Sequence, residues 1–384
     1  MPGTARERRW LKIAAGILSR PTASFLEQMP AAHVRSFAAR RPGLELAEDR
    51  YGNLLLKWTG GEGTESPPLV LMAHLDHPGF FVKEVDGRVA RLEFRGGVRA
   101  ACAKAGTALE FFRPGSPRPT GRGRLASASS EGARRPGMLA AGTARVTSGT
   151  AVAGGYTMWA FPGWSVRNGR IVSRCCDDLL GAAAALVTLD EVHRTRPPGA
   201  RVWGFFTRAE EVGLLGATAG IRAKTIPRDA RVLSLETSRA LPHAPQGGGV
   251  IVRVGDARSL FEPRLTAALL EVAGELAAED PDFRFQRRLM DGGTCEATPF
   301  CAAGFRASGV ALPLGNYHNM KGLDGGPPGI GPEHVAVSDF VSEVKLLCRL
   351  AARSAELPAL EARTGAWVAP LSRRAHDLLT EHPL

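Results

Sequence analysis

The chain has 384 residues, 44% of them apolar, enough to bury one large or two moderate cores, and no stretch approaches the roughly 18 unbroken apolar residues that cross a bilayer, so a soluble, non-membrane protein is expected. Its six cysteines, at positions 102, 175, 176, 295, 301 and 348, show no C-x-x-C spacing, which argues against a zinc finger or a disulfide framework and for reduced thiols in the cytoplasm. The net charge is +11, and nine of that excess comes from the 14 basic and 5 acidic residues between Lys83 and Gly169.

In chain order, the segment from about Arg8 to Ala39 has helical composition, and Lys12 interrupts its apolar run, so an amphipathic helix is expected there and not a signal peptide. "YGNLLLKW" predicts a short strand, and "PPLVLMAHLD" a buried strand that ends in polar residues. From Lys83 to Gly169 short apolar runs such as "GTALEFF" alternate with "RPGSPRPTGRGR" and "SASSEGARRPG", the texture of a small all-β module inserted into the chain. Aromatics are sparse there, Phe94, Phe111 and Phe112 being the main ones, so its arginines predict a solvated surface and argue against a nucleic-acid partner.

Beyond the insert, helix "CDDLLGAAAALVTLDEVHRT" ends before Pro197, followed by strand "ARVWGFFT", helix "GLLGATAGIRAK", strand "ARVLSLET" and helix "PRLTAALLEVAGELAAE". Strand "FRFQRR", helix "GGTCEATPFCAAG", strand "FRASGVALPL" and a helix around "VSDFVSEVKLLCRLAAR" complete the pattern. The alternation predicts an α/β fold with a mixed, mainly parallel sheet sandwiched by helices. The expected division is a main body of residues 1–82 and 170–353, an insert of 83–169, and a tail of 354–384 that the pattern does not assign.

Polar residues gather where strands end, the place where open α/β sheets bind ligands. His74 and Asp76 lie two apart on one strand face, so Asp76 is placed to accept the spare imidazole N–H and leave the other nitrogen of His74 for a metal; alone, the pair reads as an ordinary strand-end hydrogen bond. Asp177 and Asp178 stand at the mouth of a helix, where acidic residues also serve as caps. Glu210 and Glu211, in "FFTRAEEVGLLGA", are harder to explain structurally, because adjacent carboxylates repel. A cation would reconcile them, one carboxylate binding it while its neighbour takes a proton from water. Glu236 in "SLETS" and His318 in "LGNYHNM" complete a set of two histidines and three carboxylates, with one glutamate left as base.

The order and spacing of these motifs resemble the co-catalytic dizinc peptidases of the M28, M20 and M42 group, and within it the M42 glutamyl-type aminopeptidases. "AHLDHPGFFV" is similar to their AHMDEIGF stretch, "EEVGLLGA" to EEVGLRGA and "DGGTCEATPF" to GGTDA, and the β-rich insert occupies the M42 place between the first histidine and the aspartate pair. The resemblance runs from roughly Gly52 to Leu350. It implies a zinc-peptidase-like fold with a β-barrel-like insert, one ion held by His74, Asp177 and Glu236, and a second held by Asp177, Glu211 and His318. It further implies Glu210 as general base, Asp76 behind His74, and a cis peptide between Asp177 and Asp178. Two Zn2+ ions, with Co2+ or Mn2+ as substitutes, a short peptide or small amide substrate and a homo-oligomer are implied likewise.

The chain also departs from that pattern. Glu236 stands where an aspartate is usual, and His77-Pro78 where Glu-Ile is usual; Cys175 and Cys176 precede Asp177, and Cys295 replaces the aspartate of GGTDA, with Glu296 following as a compensating acid or a helix cap. The two paired cysteines are expected as small apolar fillers. Asn316, Tyr317 and Asn319 flank His318 and are candidates for lining a pocket. An M20-like amidohydrolase or deacylase would use the same metals and base, but such enzymes carry a lid between the glutamate pair and the late histidine, and here that interval is too short for one. A non-catalytic binding protein on the same scaffold is the remaining alternative.

Overall fold

The structure is a computed structural model that describes residues 3–58 and 66–382. Two helices, α1 (Ala5–Leu18) and α2 (Gln28–Ala39), occupy the stretch expected as one. The break contains Pro21, which lacks a backbone N–H, and Phe25, held at a φ of 70°. At the start of α1 the Thr4 hydroxyl accepts the Glu7 N–H while the Glu7 carboxylate accepts the Thr4 N–H, a reciprocal cap that satisfies two otherwise orphaned donors.

Strands β1 (Leu44–Glu48), β2 (Leu54–Trp58) and β3 (Leu69–His74) lead into the insert. There β4 (Gly79–Asp86), β5 (Val89–Arg95), β6 (Ala108–Phe112), β7 (Gly121–Ser129), β8 (Ala141–Gly149) and β9 (Tyr156–Trp159) close into a six-stranded barrel in the order β4-β5-β8-β7-β6-β9. It has a core of its own, with Phe80, Leu92, Leu109, Phe111 and Trp159 buried inside. The boundary expected at Lys83 falls within β4. A short pair, β10 (Ser165–Arg167) and β11 (Arg170–Ser173), leads back to the main body.

The rest of the chain alternates helix and strand: α3 (Leu179–Thr195), β12 (Val202–Thr207), α4 (Leu215–Ala223), β13 (Arg231–Arg239), β14 (Val250–Asp256), α5 (Pro263–Glu279), β15 (Phe285–Met290), α6 (Ala297–Ala302) and β16 (Arg306–Leu314). Two short strands, β17 (Met320–Lys321) and β18 (Gly329–Ile330), precede β19 (Glu333–Ala336), α7 (Val337–Ala352), α8 (Leu357–Ala362) and α9 (Val368–Glu381). Strand β14 was not expected from the sequence, and the predicted helix around "GGTCEATPFCAAG" forms only over α6, with Gly292, Gly293 and Gly304 all outside it.

Eight strands make the main sheet, in the order β1-β2-β12-β3-β13-β16-β14-β15. Its centre, β12-β3-β13-β16, is parallel, with antiparallel pairs at β1-β2, β2-β12 and β16-β14, so the mixed, mainly parallel expectation holds. Helix α3 is buried from Leu179 to Val192 and apolar on nearly every side, which suits a helix wedged between the sheet and two further helices, α1 and α7. On the opposite face Met72, Phe205 and Val232 pack against Ala217 of α4 and Phe300 of α6. The parallel centre aligns the C-terminal ends of β3, β12 and β13 at one edge.

Of the unassigned tail, α8 docks through Glu361, whose carboxylate accepts hydrogen bonds from Arg231 Nε and Nη2, both at 2.9 Å, and from Arg306 Nη1 at 2.7 Å. Arg231 is 2% exposed, and the two arginines begin β13 and β16. Glu361→Ala strands the buried Arg231 cation and is expected to lower the unfolding free energy by about 3–5 kcal/mol, measurable by urea denaturation. Helix α9 is exposed along its whole length.

Candidate metal centre

His74 is the last residue of β3, and Thr207, the last residue of β12, pairs with it across the sheet. Just past these ends both chains turn, and the two turns are joined through Asp76. Its Oδ1 accepts the Glu210 N–H at 2.9 Å, and its Oδ2 accepts the Glu211 N–H at 3.2 Å and the Ser24 hydroxyl at 2.7 Å. The Asp76 carboxylate therefore shapes the glutamate turn as well as standing 3.4 Å from His74 Nδ1, while the backbone carbonyl of Asp76 lies 3.2 Å from that nitrogen. Burial alone would raise the Asp76 carboxyl, but its bonds to His74, Ser24 and the Glu210 N–H hold it below its ordinary value.

The glutamate turn is pinned from a second side by Glu27, which accepts from Ala209 N–H at 3.1 Å and from Arg208 Nε at 2.9 Å. Ala209 has a φ of 52°, a left-handed conformation that a non-glycine residue keeps only when its surroundings enforce it. Beyond the pair, the N–H groups of Gly213 and Leu214 both donate to the Glu210 carbonyl at 2.8 Å and fold the chain into α4.

Asp177 lies between β11 and α3. Its N–H and that of Cys176 donate to Glu333 Oε2 at 3.0 and 2.6 Å, and the peptide joining Asp177 to Asp178 is cis. The Asp178 carboxylate accepts the Gly181 N–H at 3.2 Å as the cap of α3 and the Thr237 hydroxyl at 3.1 Å. Glu236, on β13, accepts the Ser234 hydroxyl at 3.2 Å.

His318 follows β16 in a tight turn with a φ of 54°. Its Nδ1 is 2.8 Å from the carbonyl oxygen of Gly97, in the barrel, so the barrel fixes the tautomer and turns Nε2 toward the carboxylates. A Cβ at Gly97 would come within 3.3 Å of that ring, a tight contact that the ring would have to yield to slightly. Tyr317 stacks on the His318 ring at 3.8 Å, and Asn316 donates to the Pro332 carbonyl at 2.8 Å, a turn contact.

The scattered candidates thus converge. Asp177 sits between the two imidazoles, its Oδ1 3.5 Å from His74 Nε2 and its Oδ2 3.4 Å from His318 Nε2. Glu211 Oε1 is 3.2 Å from His318 Nε2, and Glu210 Oε2 is 3.9 Å from His74 Nε2. Ligand atoms of His74, Asp177 and Glu236 lie within 4.8 Å of one another, as do those of Asp177, Glu211 and His318, and those of His74, Glu210 and Glu211.

The electrostatics match a cation site. Burial pulls both imidazoles down, yet Asp177 and Asp76 around His74, and Glu211 and Asp177 around His318, outweigh it and hold both well above the ordinary histidine value. Burial raises the carboxyls of Glu210 and Glu236, and carboxylate neighbours add to it. The Asp177 carboxyl is raised by burial but lowered further by the imidazoles of His318 and His74 beside it. Two buried oxygens, Asp177 Oδ1 and Glu211 Oε1, have no hydrogen-bond partner among the described residues. Positive charge is favoured where these atoms meet, and imidazole with carboxylate is a donor set that suits zinc.

Several contacts had no signal in the sequence. Glu333, Glu27 and Ser24 hold the site through contacts far away in the chain, and the Gly97 carbonyl carries no side-chain signature. Glu296 stands at the start of α6 without capping it; its Oε1 accepts the Thr207 hydroxyl at 2.5 Å, and burial pushes its carboxyl up to about 8. All six cysteines are free, and burial pushes the Cys175 and Cys176 thiols well above their usual value, which keeps them neutral fillers.

A mainly parallel α/β sheet with histidines and carboxylates gathered beyond its strand ends, and a barrel inserted before them, defines a metal-dependent hydrolase of the peptidase type. A profile described as M42 glutamyl aminopeptidase matches residues 151–323, a span that contains Asp177, Glu210, Glu211, Glu236 and His318. The fold is similar to an aminopeptidase from the archaeon Desulfurococcus kamchatkensis, at 19% identity and a TM-score of 0.73 over 91% of this chain and 97% of that one. It is also similar to a TET aminopeptidase from a marine-sediment Thaumarchaeota archaeon, at 17% identity and a TM-score of 0.71 over 92% and 99%. The TET1 peptidase of Pyrococcus horikoshii aligns at 18% identity and a TM-score of 0.69 over 89% and 99%. Over residues 151–323 the chain therefore matches the M42 glutamyl aminopeptidase family, and its fold is similar to that of these aminopeptidases.

Proposed function

We propose that His74, Asp177 and Glu236 hold one zinc ion and Asp177, Glu211 and His318 a second, and that the chain removes N-terminal residues from short peptides. The observation that carries this reading is the placement of Asp177, one carboxylate oxygen toward each histidine at 3.5 and 3.4 Å. When bound, the ions supply Lewis acidity toward the scissile carbonyl and toward water. Glu210 takes the proton of the attacking water and hands it to the leaving amine, with its backbone fixed by Asp76. Asp76 and the Gly97 carbonyl orient the two imidazoles, and Glu333 holds the Asp177 peptide.

The interval between Glu211 and His318 is occupied by α4, β13, β14, α5, β15, α6 and β16 of the main body, which supports an M42-type over an M20-type arrangement. Assembly into a homo-oligomer is part of the proposal, since the Pyrococcus horikoshii TET1 peptidase forms a tetrahedron or a large octahedral shell. Free buried cysteines fit a reducing, cytoplasmic setting, and no helix among the described residues is long and apolar enough to cross a membrane.

The test is chelation followed by readdition of Zn2+, Co2+ or Mn2+, assayed on a panel of fluorogenic aminoacyl substrates beside their N-acylated counterparts. Loss of activity on chelation, recovery with metal, and turnover of the free-amine substrates alone are expected. Turnover of the N-acylated series instead would make the chain a deacylase, and activity indifferent to chelation would remove the metal from the reaction.

A further inference from the structure

His77 is fully buried, and each of its ring nitrogens faces an oxygen on a different segment. Its Nδ1 lies 2.6 Å from the carbonyl oxygen of Asp177, and its Nε2 lies 3.0 Å from Oδ1 of Asn319. The amide of Asn319 is oriented in turn, because its Nδ2 donates to the Arg174 carbonyl at 3.1 Å, which leaves Oδ1 facing the ring. His77 is three residues past His74, and because the Asp177 carbonyl and Asn319 Oδ1 are both acceptors, it donates to the two together as a ring carrying a proton on each nitrogen. One imidazole therefore ties together the three segments that carry these side chains, with its ring 6.4 Å from that of His318 in an edge-on arrangement.

The His318 turn needs such a tie. His318 and Asn319 both have positive φ, 54° and 61°, a conformation that costs free energy for non-glycine residues and persists only where contacts over-determine it. Among the described residues the Asn319 side chain has two hydrogen-bond partners, His77 and the Arg174 carbonyl. A glutamate stands at this position in the similar AHMDEIGF stretch, and an ionised carboxylate cannot donate to the Asp177 carbonyl, whereas an imidazole N–H can.

We propose that His77 is a positioning residue: with Asn319 it sets the placement of Asp177 relative to His318, and through them the affinity for the ion assigned to Asp177, Glu211 and His318. This rests on the reading of those three side chains as ligands. Groups that orient ligands in this way typically change metal affinity by about 10- to 100-fold when removed.

The experiment is calorimetric titration of Zn2+ into the metal-stripped full chain, paired with visible absorption of the Co2+ form, for the parent, His77→Ala, His77→Gln and Asn319→Ala. His77→Ala is expected to weaken one of two binding events by about 10- to 100-fold and the other, which shares Asp177, by less, and to change the absorption of the second Co2+ equivalent. His77→Gln, whose amide N–H can still donate to the Asp177 carbonyl, recovers most of the loss. Asn319→Ala removes only one of the two bonds and gives a smaller loss in the same direction, so the idea stays testable should His77→Ala not fold. Parental isotherms and spectra in the folded variants overturn the role of His77. Absence of any ion uptake by the parent chain overturns both this role and the ligand assignment beneath it.

Discussion

Replacing Glu210 by glutamine is expected to lower kcat by about 100- to 10,000-fold with metal content unchanged. The substitution keeps the length and planarity of the side chain, and the Glu210 N–H that Asp76 accepts belongs to the backbone, so the turn survives. What is lost is the capacity to take a proton. Burial, reinforced by Glu211 and Glu236, raises the Glu210 carboxyl well above its ordinary value, which marks it as a group under pressure to hold a proton, and a cation bound beside it would shift the balance back toward the carboxylate. A base poised between those influences can accept a proton and release it within one turnover. Steady-state kinetics beside elemental analysis check the result: near-parental kcat in fully loaded protein removes Glu210 from the base role, and a loss of metal reassigns it as a ligand.

Asp177→Asn is expected to have the larger effect on the metal itself. Asparagine has nearly the volume of aspartate, but it is neutral and offers a single oxygen, so it cannot serve both His74 and His318 as the carboxylate does. Zinc affinity is expected to fall by at least about 100-fold, and activity to fall to background with it. Stability gives an independent readout. Zinc at about 100 times its Kd adds about 2.7 kcal/mol to the folded parent, and the variant loses that increment at the same zinc concentration. A metal-induced rise in Tm equal to the parent's would show that the ions do not depend on Asp177.

The regular parts of the fold were legible because burial imposes its period on the sequence. The run "LVLMAH" of β3 read as a buried strand and the alanine-rich α3 as a helix, and they are. The cluster was legible by a different route, since adjacent acids such as Glu210 and Glu211 have little structural use, and their order along the chain with His74, Asp177, Glu236 and His318 is distinctive. What stayed hidden depends on contacts between distant positions. Glu333 reaches back 157 and 156 positions to Cys176 and Asp177, and Glu361 reaches 130 positions to Arg231; neither stands in a motif of its own. Strand β14 begins immediately after the loop "HAPQGGG", whose glycines obscure the alternation in "VIVRVGD". His77 stands where the similar stretch has a glutamate, and in the folded chain its ring lies against the Asp177 carbonyl.

The carbonyl of Gly97 reaching His318 has an implication for how such molecules can be remodelled. The inserted barrel is not an interchangeable cartridge clipped onto a finished hydrolase, because one of its corners aims a histidine of the main body. A chimera that borrows another barrel must reproduce the bearing of one backbone oxygen.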